Sequence, residues 1–112
     1  DAYNANPTSM MAALENFRLM VVSHKAAILR DMKELGEGSV DEHRKIVSFL
    51  EGCGFERIIL VGDEFGKANT GFEWYKNTDD LKAKISEEKI SGKFVLIKGS
   101  NSMKLAPLKD IL

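Results

Sequence analysis

Three runs of this 112-residue chain hold residue types that do chemistry when a fold brings them together. In "LIKGSNSM", Lys98 is followed by Gly99, Ser100, Asn101 and Ser102. Small residues in a turn leave backbone N–H groups exposed, and a lysine beside them adds positive charge, so the run can seat an anion. The same pattern also reads as a plain strand-to-helix turn capped by Ser102. In "RDMKELGEGS", Asp31 stands at a strand end with Lys33, Glu34 and Glu37 close behind. A carboxylate there can hold a metal, a ribose hydroxyl or an ammonium group, or it can cap a turn by accepting from the backbone two residues on. The opening "DAYNANPTSM" crowds Asp1, Tyr3, Asn4, Asn6, Thr8 and Ser9 around Pro7, either as capping and turn chemistry or as the rim of a ligand site.

Other chemistries find little support. A Walker A loop needs G-x-x-x-x-G-K-[ST], and the chain contains no such run, so it is not expected to hydrolyse a nucleotide alone. No His, Cys or carboxylate pairs stand at ligand spacing, so no metal site is expected. Cys53 has no convincing base partner and is a poor nucleophile candidate. His43 reads as a satisfied inward-facing side chain, His24 as incidental, the methionines as core packing, and Trp74 with Tyr75 as the cover of an edge strand.

The elements that must position these residues follow from the apolar rhythm. Met10, Leu14, Phe17 and Val21 recur at helical spacing over Ser9–Val22, with Thr8 or Ser9 as the N-cap. "KAAILR" (Lys25–Arg30) is a short buried strand. Ser39-Val40-Asp41-Glu42 has the form of a capping box, starting a helix that presents His43, Ile46, Val47 and Leu50 on one face and stops at Gly52–Gly54. "RIILVG" (Arg57–Gly62) is the next strand, the stretch from Gly62 to Gly66 a loop, and "GFEWYK" a short edge strand. A helix from an N-cap at Thr78 to about Glu88, a strand over Lys93–Ser100 and a closing helix over Leu105–Leu112, broken or started at Pro107, complete the reading.

Continuous apolar strands alternating with amphipathic helices predict an α/β fold: three layers, a mostly parallel sheet with helices on both faces. Right-handed crossovers then place every strand's carboxyl end on one edge, where such sheets bind ligands. The loops expected there are Asp31–Ser39, Gly62–Gly66 and Lys98–Ser102.

Composition sets the outer bounds. The length suits a single domain over residues 1–112, and 44% hydrophobic with 29% charged residues is ordinary for a globular chain. A formal charge of −1 offers nothing to nucleic acid or an anionic membrane as partner. No apolar run approaches the roughly twenty residues of a membrane span, and no signal peptide is visible. The single Cys53 suits a reducing compartment. The absence of an initiator Met suggests a piece of something longer, with a further strand expected to lead into Asp1.

In their order, "DAYNANPTSMMAAL", "LRDMKELGEGSVDEHRKI" and "VLIKGSNSMKL" resemble the C-terminal domain of the Mur ligases over almost the whole chain. The resemblance is strongest to the branch that joins D-alanyl-D-alanine to UDP-N-acetylmuramoyl-tripeptide in peptidoglycan synthesis. It implies a dinucleotide-binding (Rossmann)-like closing domain of a three-domain, ATP- and Mg2+-dependent amide ligase of the bacterial cytoplasm, working through an acyl phosphate. N-terminal and central domains would be its partners, the central one holding the P-loop and most of the Mg2+ contacts.

Carried over by motif, Asp1, Tyr3, Asn4 and Asn6 would face ATP, while Asp31, Ser100 and Asn101 would face the incoming dipeptide and Lys98 the reacting phosphate. Departures fall at Arg30, where relatives commonly carry Gly, at Asn101, where they carry Arg, and at Ala106, where they often carry Glu. A folylpolyglutamate or cyanophycin-type ligase is the nearest alternative, against which the "YNANP" wording argues. A phosphoacceptor receiver module is a more distant one, since Asp31 and Asp63 each stand without the acidic pair it needs.

Overall fold

The computed structural model describes residues 6–68, 71–87, 94–98 and 104–106. Its elements run α1 (Pro7–Leu19), β1 (Lys25–Arg30), a single 3-10 turn (Gly36–Gly38), α2 (Ser39–Glu51), β2 (Arg57–Val61), α3 (Asp63–Ala68), β3 (Glu73–Tyr75), α4 (Thr78–Glu87), β4 (Phe94–Lys98) and β5 (Lys104–Ala106). The sheet order is β3-β2-β1-β4-β5. The first four strands are parallel, and β5 returns antiparallel along β4.

Strand alternation sends neighbouring residues to opposite faces, and two apolar clusters result. Leu29, Ile58, Leu60 and Leu96 pack with Met10, Leu14 and Phe17 of α1, Ile46 and Leu50 of α2, and Phe65 of α3. Ala26, Ile28, Ile59, Val61 and Val95 pack on the other face with Leu81 of α4, flanked by Tyr75 and Ile85. The expected three layers are therefore present. Burying a side chain the size of Phe17 or Leu14, both essentially inaccessible, contributes about 2 kcal/mol each.

The element ends differ from the sequence expectation, each for a local reason. Helix α1 begins at Pro7 with Asn6 as N-cap: Asn6 Oδ1 accepts from Ser9 N–H at 2.9 Å, and Ser9 Oγ accepts from Asn6 N–H at 3.2 Å. Pro7 takes the first helical position, where its missing N–H costs nothing. The Ser39 capping box does not form. Gly38 is the N-cap without a side-chain bond, and the Ser39 hydroxyl instead bonds the Glu64 carboxylate and lies 3.4 Å from His43 Nδ1. Residues from Asp63 to Ala68 form a helix rather than a loop. Helix α4 is capped by Asn77, whose Oδ1 accepts from Asp80 N–H at 2.8 Å, one position before the expected Thr78. The expected closing helix does not include Leu105 and Ala106, which lie in β5, paired with Leu96 and Val95. Residues 107–112 lie outside the described residues.

Candidate functional site

The chain lays β2 and then β3 on one side of β1 and crosses to the other side for β4. Connections part at such a reversal and leave a crevice outside the carboxyl ends of the two strands that flank it. Those strands are β1 and β4. Lys98 ends β4 and pairs with Leu29, one residue before Arg30 ends β1, so the backbones of both strands finish together at the crevice. The Lys98 side chain, the sequence candidates Ser100 and Asn101, and Asp1, Tyr3 and Asn4 of the opening run lie outside the described residues.

Asp31 is held hard in place. Its Oδ2 accepts from Glu64 N–H and its Oδ1 from Phe65 N–H, each at 2.9 Å. The carboxylate thus caps the first turn of α3, where exposed amides favour negative charge. The cap reaches 33 and 34 residues along the chain, not the two residues of a local turn. Gly62 makes this possible. Its φ is +122°, and a Cβ built there would lie 2.3 Å from Asp31 Cγ. Asp31 N–H in turn donates to Val61 O at 3.0 Å, tying the end of β1 to the end of β2.

A cleft of about 350 Å³ opens on this edge, lined by Arg30 at the end of β1 with Asp31 and Lys33 beyond it, Val61 at the end of β2 with Gly62 beyond it, and Lys76–Asp79 after β3. Its charges are three cations, Arg30, Lys33 and Lys76, against the carboxylates of Asp31 and Asp79. With Asp31 turned onto the amides of α3, the balance suits a ligand that carries an anionic group. Sequence reasoning missed the Lys76–Asp79 wall. Its signal was the "GFEWYK" strand: once β3 is parallel to β2, the loop that follows must reach the same edge.

The wall is anchored from behind. Trp74 Nε1–H donates to Gly62 O at 2.6 Å, and its ring lies so close to Gly66 that a Cβ there would sit 2.8 Å from the indole. Gly62 N–H donates to Tyr75 O at 2.9 Å, extending the β2–β3 ladder. Arg57 holds Glu73 with two bonds of 2.8 and 2.7 Å, and Tyr75 Oη donates to the same carboxylate. These bonds, the Arg57 guanidinium first, hold the Glu73 carboxyl below its ordinary value.

Two further sequence candidates resolve clearly. Asn6 is on the surface with its side-chain oxygen committed to the α1 cap. Cys53 donates its thiol to Phe49 O at 3.4 Å, and burial raises its pKa, which leaves it a weak nucleophile. Among the described residues no cluster of three or more His, Cys, Asp or Glu could hold a metal ion, and no helix is long and apolar enough to cross a membrane.

Comparison with known proteins gives a consistent result. The family profile described as "Mur ligase, glutamate ligase domain" matches residues 1–101. The chain is 31% identical, over 98% of its length, to UDP-N-acetylmuramoyl-tripeptide--D-alanyl-D-alanine ligase of Rickettsia prowazekii, covering 26% of that protein. Among solved structures, MurF from Acinetobacter baumannii superposes with a TM-score of 0.69 at 28% identity, over 90% of this chain and 24% of that one. MurF ligase from Thermotoga maritima, in complex with ADP, superposes equally well at 0.69 but at 22% identity, over 88% of this chain and 23% of that one. The chain thus spans about a quarter of the length of the relatives it matches.

Proposed function

Given that the chain belongs to the Mur ligase family, as its glutamate ligase domain, we propose that it is the C-terminal domain of a bacterial cytoplasmic ligase that joins D-alanyl-D-alanine to UDP-N-acetylmuramoyl-tripeptide. ATP would phosphorylate the tripeptide carboxylate, giving an acyl phosphate and ADP. The dipeptide amine would then attack the acyl carbon, forming the amide and releasing phosphate. The observation that supports this reading is the sheet reversal between β1 and β4, where the Lys98 backbone pairs with Leu29 near the carboxyl end of β1, on the edge where α/β sheets receive ligands.

On this reading the charged groups divide the work. Lys98 faces the oxygens on which negative charge builds during phosphoryl and acyl transfer. Arg30, Lys33 and Lys76 attract the dipeptide carboxylate to the cleft, and Ser100 and Asn101 orient it. Asp31 acts mainly by fixing the Gly62–Glu64 turn, because both its oxygens already accept amides. Asp1, Tyr3, Asn4 and Asn6 shape the nucleotide side, Asn6 through its amide nitrogen since its oxygen caps α1. Among the described residues no group of three or more His, Cys, Asp or Glu is placed to hold a metal ion. The Mg2+ that accompanies ATP is assigned to the central domain, and no step here runs through it.

The test is product formation by the full-length protein with ATP, UDP-N-acetylmuramoyl-tripeptide and a set of amine donors. Ligation of D-alanyl-D-alanine in clear preference to single amino acids is expected. Preference for glutamate on a folate-type acceptor would favour the folylpolyglutamate-type alternative and overturn the proposal.

A further inference from the structure

His43 is completely buried, yet no part of the proposed chemistry uses it. It sits in the second turn of α2, behind the edge that carries the cleft. Its Nε2 accepts from the backbone N–H of Met32 at 3.0 Å, so that nitrogen carries no proton. Its Nδ1 lies 2.7 Å from Ser39 O, a carbonyl that can only accept, so Nδ1 carries the proton. The ring edge meets Phe65 at 4.6 Å between centroids, and Nε2 stands 3.9 Å from Asp31 Oδ1. One imidazole therefore touches three segments: the turn after β1, the start of α2 and the start of α3.

The turn after β1 needs such a hold. Glu34 has φ +61° and Gly36 φ +63°, and a left-handed non-glycine residue persists only where its surroundings over-determine it. The buried Met32 amide lies two residues before Glu34, and a buried donor without an acceptor is costly. Lys33 of the same turn lines the cleft, and Asp31, one residue before Met32, caps α3. Whatever fixes Met32 fixes both.

We propose that His43 is a positioning residue: as the neutral, Nδ1-protonated imidazole it locks the turn after β1 against α2 and α3, and so sets the cleft that receives the incoming dipeptide. Its effect on turnover rests on the ligase reading above; its tautomer does not.

Two measurements test this. In the 15N-histidine-labelled wild-type chain, long-range 1H–15N correlations should show Nδ1 of His43 as the protonated, pyrrole-type nitrogen and Nε2 as the bare, pyridine-type one, the reverse of the tautomer preferred by free imidazole. In the full-length ligase, His43→Leu keeps the bulk but removes the acceptor, and His43→Gln can return an oxygen near the Nε2 position. The Leu variant should raise the KM for D-alanyl-D-alanine about 10-fold or more, with the KM for ATP changed less than about twofold, and the Gln variant should recover most of the loss. A proton on Nε2 in the wild type would overturn the proposal even if the Leu variant failed to fold. So would a Leu variant that loses stability while both KM values stay at wild-type levels, or a Gln variant no better than Leu. An enzyme that ligates a different amine, with the Nδ1–H tautomer intact, would remove the ligase reading and leave the lock in place.

Discussion

Asp31 and Gly62 set the shape of the candidate site more than any cation in it. The carboxylate occupies the space where a side chain on residue 62 would be, and its two oxygens take the two amides that the turn into α3 leaves unpaired. Gly62→Ala should therefore be severe for so small a change. A Cβ at φ +122° must displace a carboxylate 2.3 Å away, and the expected loss is about 2 kcal/mol or more in urea unfolding. Glu73 offers a milder test with a defined pH signature. Its carboxyl is held below the ordinary 4.5 by Arg57 first and by Tyr75 as well. A lowered native value means that the bonds stabilise the fold fully above about pH 4.5, and that this stability is lost as pH falls through the native value. Glu73→Gln should cost about 1 kcal/mol at pH 7, because the pair is partly exposed, and progressively less as pH falls below the ordinary carboxylate range, so the two unfolding curves draw together in acid.

Element by element, interiors were legible in the sequence and ends were not. β1 spans Lys25–Arg30 as its apolar run indicates, and β2 differs from the expectation only at Gly62. Burial dictates such strands, and burial is written in residue type. Caps depend on which of several polar groups wins a shared partner. Ser39 and Glu42 spell a capping box, yet the Ser39 hydroxyl goes to Glu64, a residue that only the tertiary fold brings near. The α3 cap was illegible for the same reason, since its acceptor comes from the end of another strand. The carboxyl end of α1 shows the same logic with a cation. Lys25 Nζ donates to Phe17 O, Arg18 O and Met20 O at 2.9, 2.8 and 3.0 Å, sharing Phe17 O with the Met20 amide and gathering the carbonyls at the negative end of the helix. Lys25→Met keeps the stem and removes the donors. It should cost about 1–2 kcal/mol and accelerate amide exchange in the last turn of α1 ahead of the rest of the helix.

At the scale of the whole molecule, the sheet order brings separate motifs to one edge. Asp31 and Lys98 are far apart in sequence, and only the crossing from β3 to β4 sets their strand ends side by side. The parallel pattern made the edge legible, and with it two of its loops. The short β3, with only Glu73–Tyr75 in the ladder, carried too weak a signal to place Lys76–Asp79 there as well. The chain holds no P-loop, so the purified 112-residue chain should release no phosphate from ATP above a blank, even with tripeptide and D-alanyl-D-alanine present. The most direct measurement of the central claim is steady-state kinetics of Lys98→Ala in the full-length ligase, alongside its melting temperature. A lysine that meets charge at the sheet reversal predicts a kcat about 10- to 1,000-fold lower, with the melting temperature within about 2 °C of wild type. A normal kcat with a large drop in melting temperature would contradict the account and make Lys98 a structural residue.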